Sequence, residues 1–137
     1  MISISFWPIL VAAIVAFAIG ALWYSPILFG RQWMALIRMS DSDMAAAQEK
    51  GVAKLYVIQF IVSLVTFGVL AFVISASGSM NAGDGMFAAF LAWLGFPVMT
   101  TIGEMLWQKK PAKLAFITLS CTLVSWIVGG AIIGAWR

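Results

Sequence analysis

The chain has 137 residues, 64% of them hydrophobic and 9% charged, with a net charge of +3, whereas soluble domains average about 45–50% apolar and about 25% charged. A water-soluble fold of this length leaves much of its area exposed, so a mean hydropathy of +1.05 points to lipid as the solvent. With no histidine and one cysteine, Cys121, the chain excludes an intrachain disulfide, a His/Cys metal cluster and any Ser/His/Asp or Cys/His catalytic group. The basic residues are too few and dispersed for a nucleic-acid surface. No cofactor is expected.

The first predicted element, 4–24, carries no charge over the roughly 20 positions a helix needs to cross about 30 Å of hydrocarbon. Ala16-Phe17-Ala18 formally resembles a cleavage site, but no Lys or Arg precedes the run and it is longer than a signal core, so a retained helix is expected. Trp23 and Tyr24 fall where this helix reaches the headgroups, a level that suits amphipathic rings. Pro26 lacks an N–H and disfavours helical geometry at the residue before it, which predicts a stop near Ser25. Ser25 is then placed to cap a second helix that begins at Pro26. In that helix Phe29, Trp33, Leu36 and Ile37 share one face, opposite Arg31, Ala35 and Arg38. The pattern is that of a cytoplasmic-side amphipathic helix lying in the interface, or packed on the bundle of its own chain. Ser40-Asp41-Ser42-Asp43 reads as a capping box for a short helix running toward Lys50, with Gly51 near its end.

Three further spans follow, at 55–76, 86–107 and 114–136. Backbone groups in lipid must be satisfied within the segment, so each reads as a helix. Asn81 and Asp84 are expected to cap the third. Pro97, near its middle, leaves the Trp93 carbonyl without its usual partner and predicts a kink eased by Gly95, Thr100 and Thr101. Glu104 is the one carboxylate within a span. Intramembrane acids are functional candidates, but Lys109 and Lys110 follow closely and offer it a pairing at the cytoplasmic rim. Small residues recur at helical spacing: Ala12, Ala16 and Gly20, then Ala88 and Ala92, then Cys121, Ser125 and Gly129, then Gly130 and Gly134. Such rows let backbones approach, within one chain or, for Gly130 and Gly134, between copies of a homo-oligomer.

Arg31, Arg38, Lys50, Lys54, Lys109, Lys110 and Lys113 account for seven of the eight basic residues and all fall in the two connections on one side; Arg137 alone falls on the other. The positive-inside rule then puts both connections in the cytoplasm and both termini outside, with the basic side facing anionic headgroups.

Gly20-Ala21-Leu22-Trp23-Tyr24-Ser25-Pro26 with Phe29-Gly30 and Trp33-Met34 resembles the first motif of a small bacterial membrane-protein family, domain of unknown function 1761. A second matching stretch is Trp93-Leu94-Gly95-Phe96, running on to Leu106-Trp107 and Pro111-Ala112-Lys113-Leu114. The resemblance covers essentially the whole chain and implies four spans, without an activity.

The expectation is therefore an all-α, single-domain, four-helix bundle in the bacterial inner membrane. It is read as non-enzymatic, self-associating as a dimer or trimer, or lipid-interacting. Four closely packed helices are expected to leave no aqueous path within one subunit. The alternative, a small transporter or channel using Glu104 and the Pro97 kink, would thus need an oligomer.

Overall fold

The computed structural model describes residues 4–79 and 81–136; Arg137, used above for orientation, lies outside them. Among the described residues the secondary structure is helical, in six helices. These are α1 Phe6–Trp23, α2 Gly30–Leu36, α3 Asp41–Glu49, α4 Ala53–Ala76, α5 Ala82–Gln108 and α6 Ala112–Ala135. Four of them, α1, α4, α5 and α6, are long and apolar enough to cross a membrane.

The span limits shift little from those predicted. The largest change is at α5, which starts at Ala82 because Asn81 caps it: its side-chain oxygen accepts from the Asp84 N–H at 3.0 Å. At the other side of the bundle α3 closes at Lys50, and Gly51, with φ of +90°, turns the chain into α4. That left-handed backbone suits a residue without Cβ. The short links between α4 and α5 and between α5 and α6 make these neighbours antiparallel. The start of α1 and the end of α6 share one side of the bundle.

Helix α6 is the central one, packing against α1, α2, α4 and α5. The half of the bundle around the start of α1 is tight. Ala12 and Ala13 are fully buried there with Ile74, Ala89 and Ile133. Gly85 of α5 lies against Gly130 of α6 so closely that a Cβ on either would strike the other's backbone. Gly134 sits against Asn81 and Gly85 in the same way.

This corrects one expectation. The Gly130/Gly134 face is covered by α5 of the same chain and offers nothing to a second copy. In lipid, helices associate by packing rather than by escape from water, and a helix tied on by a short link outcompetes a separate molecule for the same groove.

The other half is held by large side chains reaching across. Phe17 meets Tyr56 and Phe60 edge to face at centroid distances of 5.9 and 6.4 Å. The Trp23 indole N–H donates to the Ile117 carbonyl at 3.1 Å, and that of Trp93 to Leu119 at 3.0 Å. Side chains of this size set the helices further apart than glycines do.

In α5 the expected irregularity at Pro97 is a π-helical turn, Leu94–Val98. Pro97 lacks the N–H for an i→i−4 bond, and the wider turn accommodates the ring. Gly95 in that turn has open space beside it.

Gly85→Ala and Gly130→Ala should each destabilise the bundle by about 1–3 kcal/mol, the usual cost of overpacking, whereas Gly95→Ala should change stability by less than about 0.5 kcal/mol. Unfolding in mixed detergent micelles measures all three.

Candidate functional site

The link after α1 departs from its predicted form. Ser25 and Pro26 end α1 as expected, but α2 begins at Gly30 and not at Pro26. Ser25 does not cap it. Its hydroxyl donates back to the Leu22 carbonyl at 2.6 Å, while its own carbonyl accepts from the N–H groups of Leu28 and Gly30 at 3.1 and 2.9 Å. The chain thus folds back on itself, with Gly30 against the Tyr24 carbonyl, where any Cβ would collide.

That reversal settles where the aromatic face of α2 points. Phe29 lies on Trp23 with ring centroids 5.3 Å apart, and Trp33 meets Tyr24 at 5.2 Å. The face packs on its own bundle, while Arg31 and Arg38 are exposed. Trp23 and Tyr24, expected among the headgroups, turn inward instead: one bonds α6 and the other lines a cavity. The Trp23 ring N–H thus finds its partner inside the protein, which a view of one helix in lipid does not reveal.

The cavity has a volume of about 880 Å³ and lies between α1, α4 and α6, with Trp33 of α2 and Met44 of α3 at its mouth. The packing is thus looser on one side than expected, although a half-open recess is not the aqueous path whose absence was expected. The cause is the contrast between the two halves: glycines and alanines close one, and rings hold the other open. Phe67 marks the boundary, its ring seated over Gly129 on the tight side and lining the cavity on the other.

Tyr24, Gln59, Ser63, Thr66, Thr122 and Ser125 bring hydroxyl and amide groups to the wall, and Cys121 a thiol. Among the described residues no Asp, Glu, Lys or Arg lines it. Sequence reasoning took up only Tyr24, Cys121 and Ser125 of these, for other reasons. A signal was present: Gln59, Ser63 and Thr66 fall on one face of α4, and Cys121, Thr122 and Ser125 on one face of α6. Polar residues sharing a face inside a span ask for a common explanation.

The other candidates stand elsewhere. Glu104 pairs with Lys110 at 2.9 Å, both side chains well exposed at 39% and 45%, an arrangement worth about 0–1 kcal/mol. Neither Glu104 nor Pro97 lines the cavity. Among the described residues no group of three His, Cys, Asp or Glu side chains gathers to hold a metal.

Residues 7–134 match the family described as Protein of unknown function (DUF1761). The chain belongs to that family. Neither a curated protein nor a solved structure gives a match. In this DUF1761 chain, the motif that carried the resemblance, from Gly20 to Met34, is the reversal that places Tyr24 and Trp33 at the cavity mouth.

The helix that brings Met44 to that mouth is set by the predicted capping box. The Ser40 hydroxyl accepts from the Asp43 N–H at 3.1 Å, and the Asp43 carboxylate accepts from the Ser40 N–H at 3.0 Å. Donation from Ser40 to the carboxylate, from its backbone N–H first and its side chain second, holds the Asp43 carboxyl below its ordinary value. A lowered carboxyl contributes stability above its unfolded pKa and loses it as pH falls through the folded one. The Ser40 amide resonance should therefore titrate with a midpoint below the ordinary aspartate range and stay flat between about pH 5 and 8. Ser40→Ala removes only the side-chain part, so it should reduce the shift without abolishing it, and it should destabilise the first turn of α3 by about 1 kcal/mol.

Proposed function

We propose that this protein is a non-enzymatic, multi-pass protein of the bacterial inner membrane that works by holding molecules drawn from the lipid phase. The observation that supports this reading is an uncharged cavity of about 880 Å³ sunk among helices long enough to span. Sites for small molecules have about this volume and mix apolar walls with a few polar groups.

In this reading α2, α3 and the α5–α6 turn face the cytoplasm and both termini lie outside, following the bias of the basic residues. Arg31, Arg38, Lys50, Lys54, Lys109, Lys110 and Lys113 then meet anionic headgroups, which hold the connector side at the membrane surface. Self-association as a dimer or trimer belongs to the same proposal, on a surface other than Gly130 and Gly134. Exposed apolar side chains of α5, among them Phe87 at 63% and Phe96 at 69%, are candidates for it.

A transporter working through Glu104 and Pro97 has less support, since the acid is paired at the rim and neither residue reaches the cavity.

Protein purified in mild detergent and washed should retain about one lipid-phase molecule per chain, detected by extraction and mass spectrometry. Glu104→Gln should retain as much. Protein that comes through empty, with the cavity confirmed by structure, counts against the reading. Reporter fusions at the two ends should both be active outside the cytoplasm.

A further inference from the structure

The cavity carries polar groups at several depths. Near its mouth stand the Tyr24 hydroxyl and the Gln59 amide, and among the described residues neither bonds a protein group. Gln59 lies about 9 Å along α4 from its first residue, at 1.5 Å per residue, below the level of charged headgroups. Further in, the Thr66 hydroxyl donates to the Val62 carbonyl at 2.8 Å and the Thr122 hydroxyl to the Thr118 carbonyl at 2.9 Å. Their hydrogens are therefore used, and the Ser63 hydroxyl, one turn beyond Gln59, adds a donor to the wall. The rings of Phe67 and Trp126 line the far end.

We propose that the cavity binds an uncharged amphiphile whose head carries a carbonyl or hydroxyl oxygen, received by the Tyr24 hydroxyl and the Gln59 amide, with its apolar tail against Phe67 and Trp126. This rests on the lipid-holding reading above and narrows it to one chemical class. A charged head finds no counter-ion in the wall, and a bare charge in such surroundings is costly. A plain acyl chain fills the volume but leaves two polar groups without partners. The polar end points toward the connectors and the tail toward the middle of the bundle, so a molecule from the same leaflet enters without turning over. Rings of Phe17, Tyr56 and Phe60 bar the seam between α1 and α4. The seam between α4 and α6 is the way in, with Gln59 exposed and Val62 49% exposed along it. A quinone-type ring and the glycerol ester of a diacylglycerol share this chemistry.

Cys121 is the chain's single cysteine and lines the cavity, so its alkylation reports occupancy. The protein in phosphatidylcholine nanodiscs is titrated with decylbenzoquinone, dioctanoylglycerol or dioctanoyl phosphatidic acid, and N-ethylmaleimide labelling is followed by mass. At least one neutral probe should slow labelling saturably, by about fivefold or more near saturation, and the anionic probe should not. The probe that protects identifies the head. Tyr24→Phe and Gln59→Leu, which keep the shape of the side chain, should each raise the half-saturating concentration about three- to tenfold, as loss of a neutral hydrogen bond does. Should Cys121 resist labelling even without a probe, native mass spectrometry of the same titrations supplies the readout, under the same criteria. Protection by the anionic probe equal to that by the neutral ones, no effect of either neutral probe, or unchanged binding in both variants would overturn the proposal. Retained phospholipid with no response to the neutral probes sinks the chemical class alone, whereas an empty protein that also ignores them removes the lipid-holding reading with it.

Discussion

The contact between the backbones of Gly85 and Gly130 is the constraint on which the rest depends. Helices in lipid gain little from hiding apolar surface from one another, because the solvent is as apolar as they are. What holds them is close packing, and the closest packing available is glycine on glycine. Here α5 and α6 touch where a single added carbon would push them apart. The same helix offers Gly129 to the Phe67 ring of α4, and Ala12 and Ala13 bring α1 into that half of the bundle.

Away from this clamp the seams carry larger side chains. Toward the connector side the residues at the seams are phenylalanine, tyrosine and tryptophan, and the helices are joined by ring edges and by indole N–H groups that reach backbone carbonyls of α6. The Leu119 carbonyl takes Trp93 as a second donor through the lone pair the helix ladder leaves, whereas the Ile117 carbonyl is shared between Trp23 and the Ser120 hydroxyl. A bundle closed by small residues in one half and carrying rings in the other leaves a half-open space without any unsatisfied buried side-chain group among the described residues. The cavity follows from two packing modes in one structure, and needs no missing side chain to explain it.

The link between α1 and α4 finishes the site. Its tight reversal at Ser25–Gly30 and its capped helix α3 set Trp33 and Met44 over the opening. Charge is kept outside: the arginines of the link are exposed and Glu104 is paired with Lys110 at the rim. The interior thus has hydrogen-bonding capacity without ionisable carboxylates or amines, which favours neutral guests.

Much of this was legible from residues alone. Four apolar runs of spanning length, helices forced by the need to satisfy the backbone in lipid, the stop at Ser25-Pro26, the Ser40/Asp43 box, the Asn81 cap and the Glu104 pairing at the rim are all local in origin. Each depends on residues within one segment or a few positions apart, so spacing is enough to read them. The partner of each face is not local. Gly130 and Gly134 look the same in sequence whether they meet α5 or another molecule, and Trp23 and Tyr24 look like headgroup anchors until α6 and Trp33 are beside them. The cavity is the extreme case, since it belongs to no element: it is the space left when small residues close one half of a bundle and rings prop open the other. Sequence determined the medium, the helices and their ends, because hydropathy and backbone satisfaction act along the chain. Tertiary structure alone decided which polar residues share an interior, because that depends on the distances between helices.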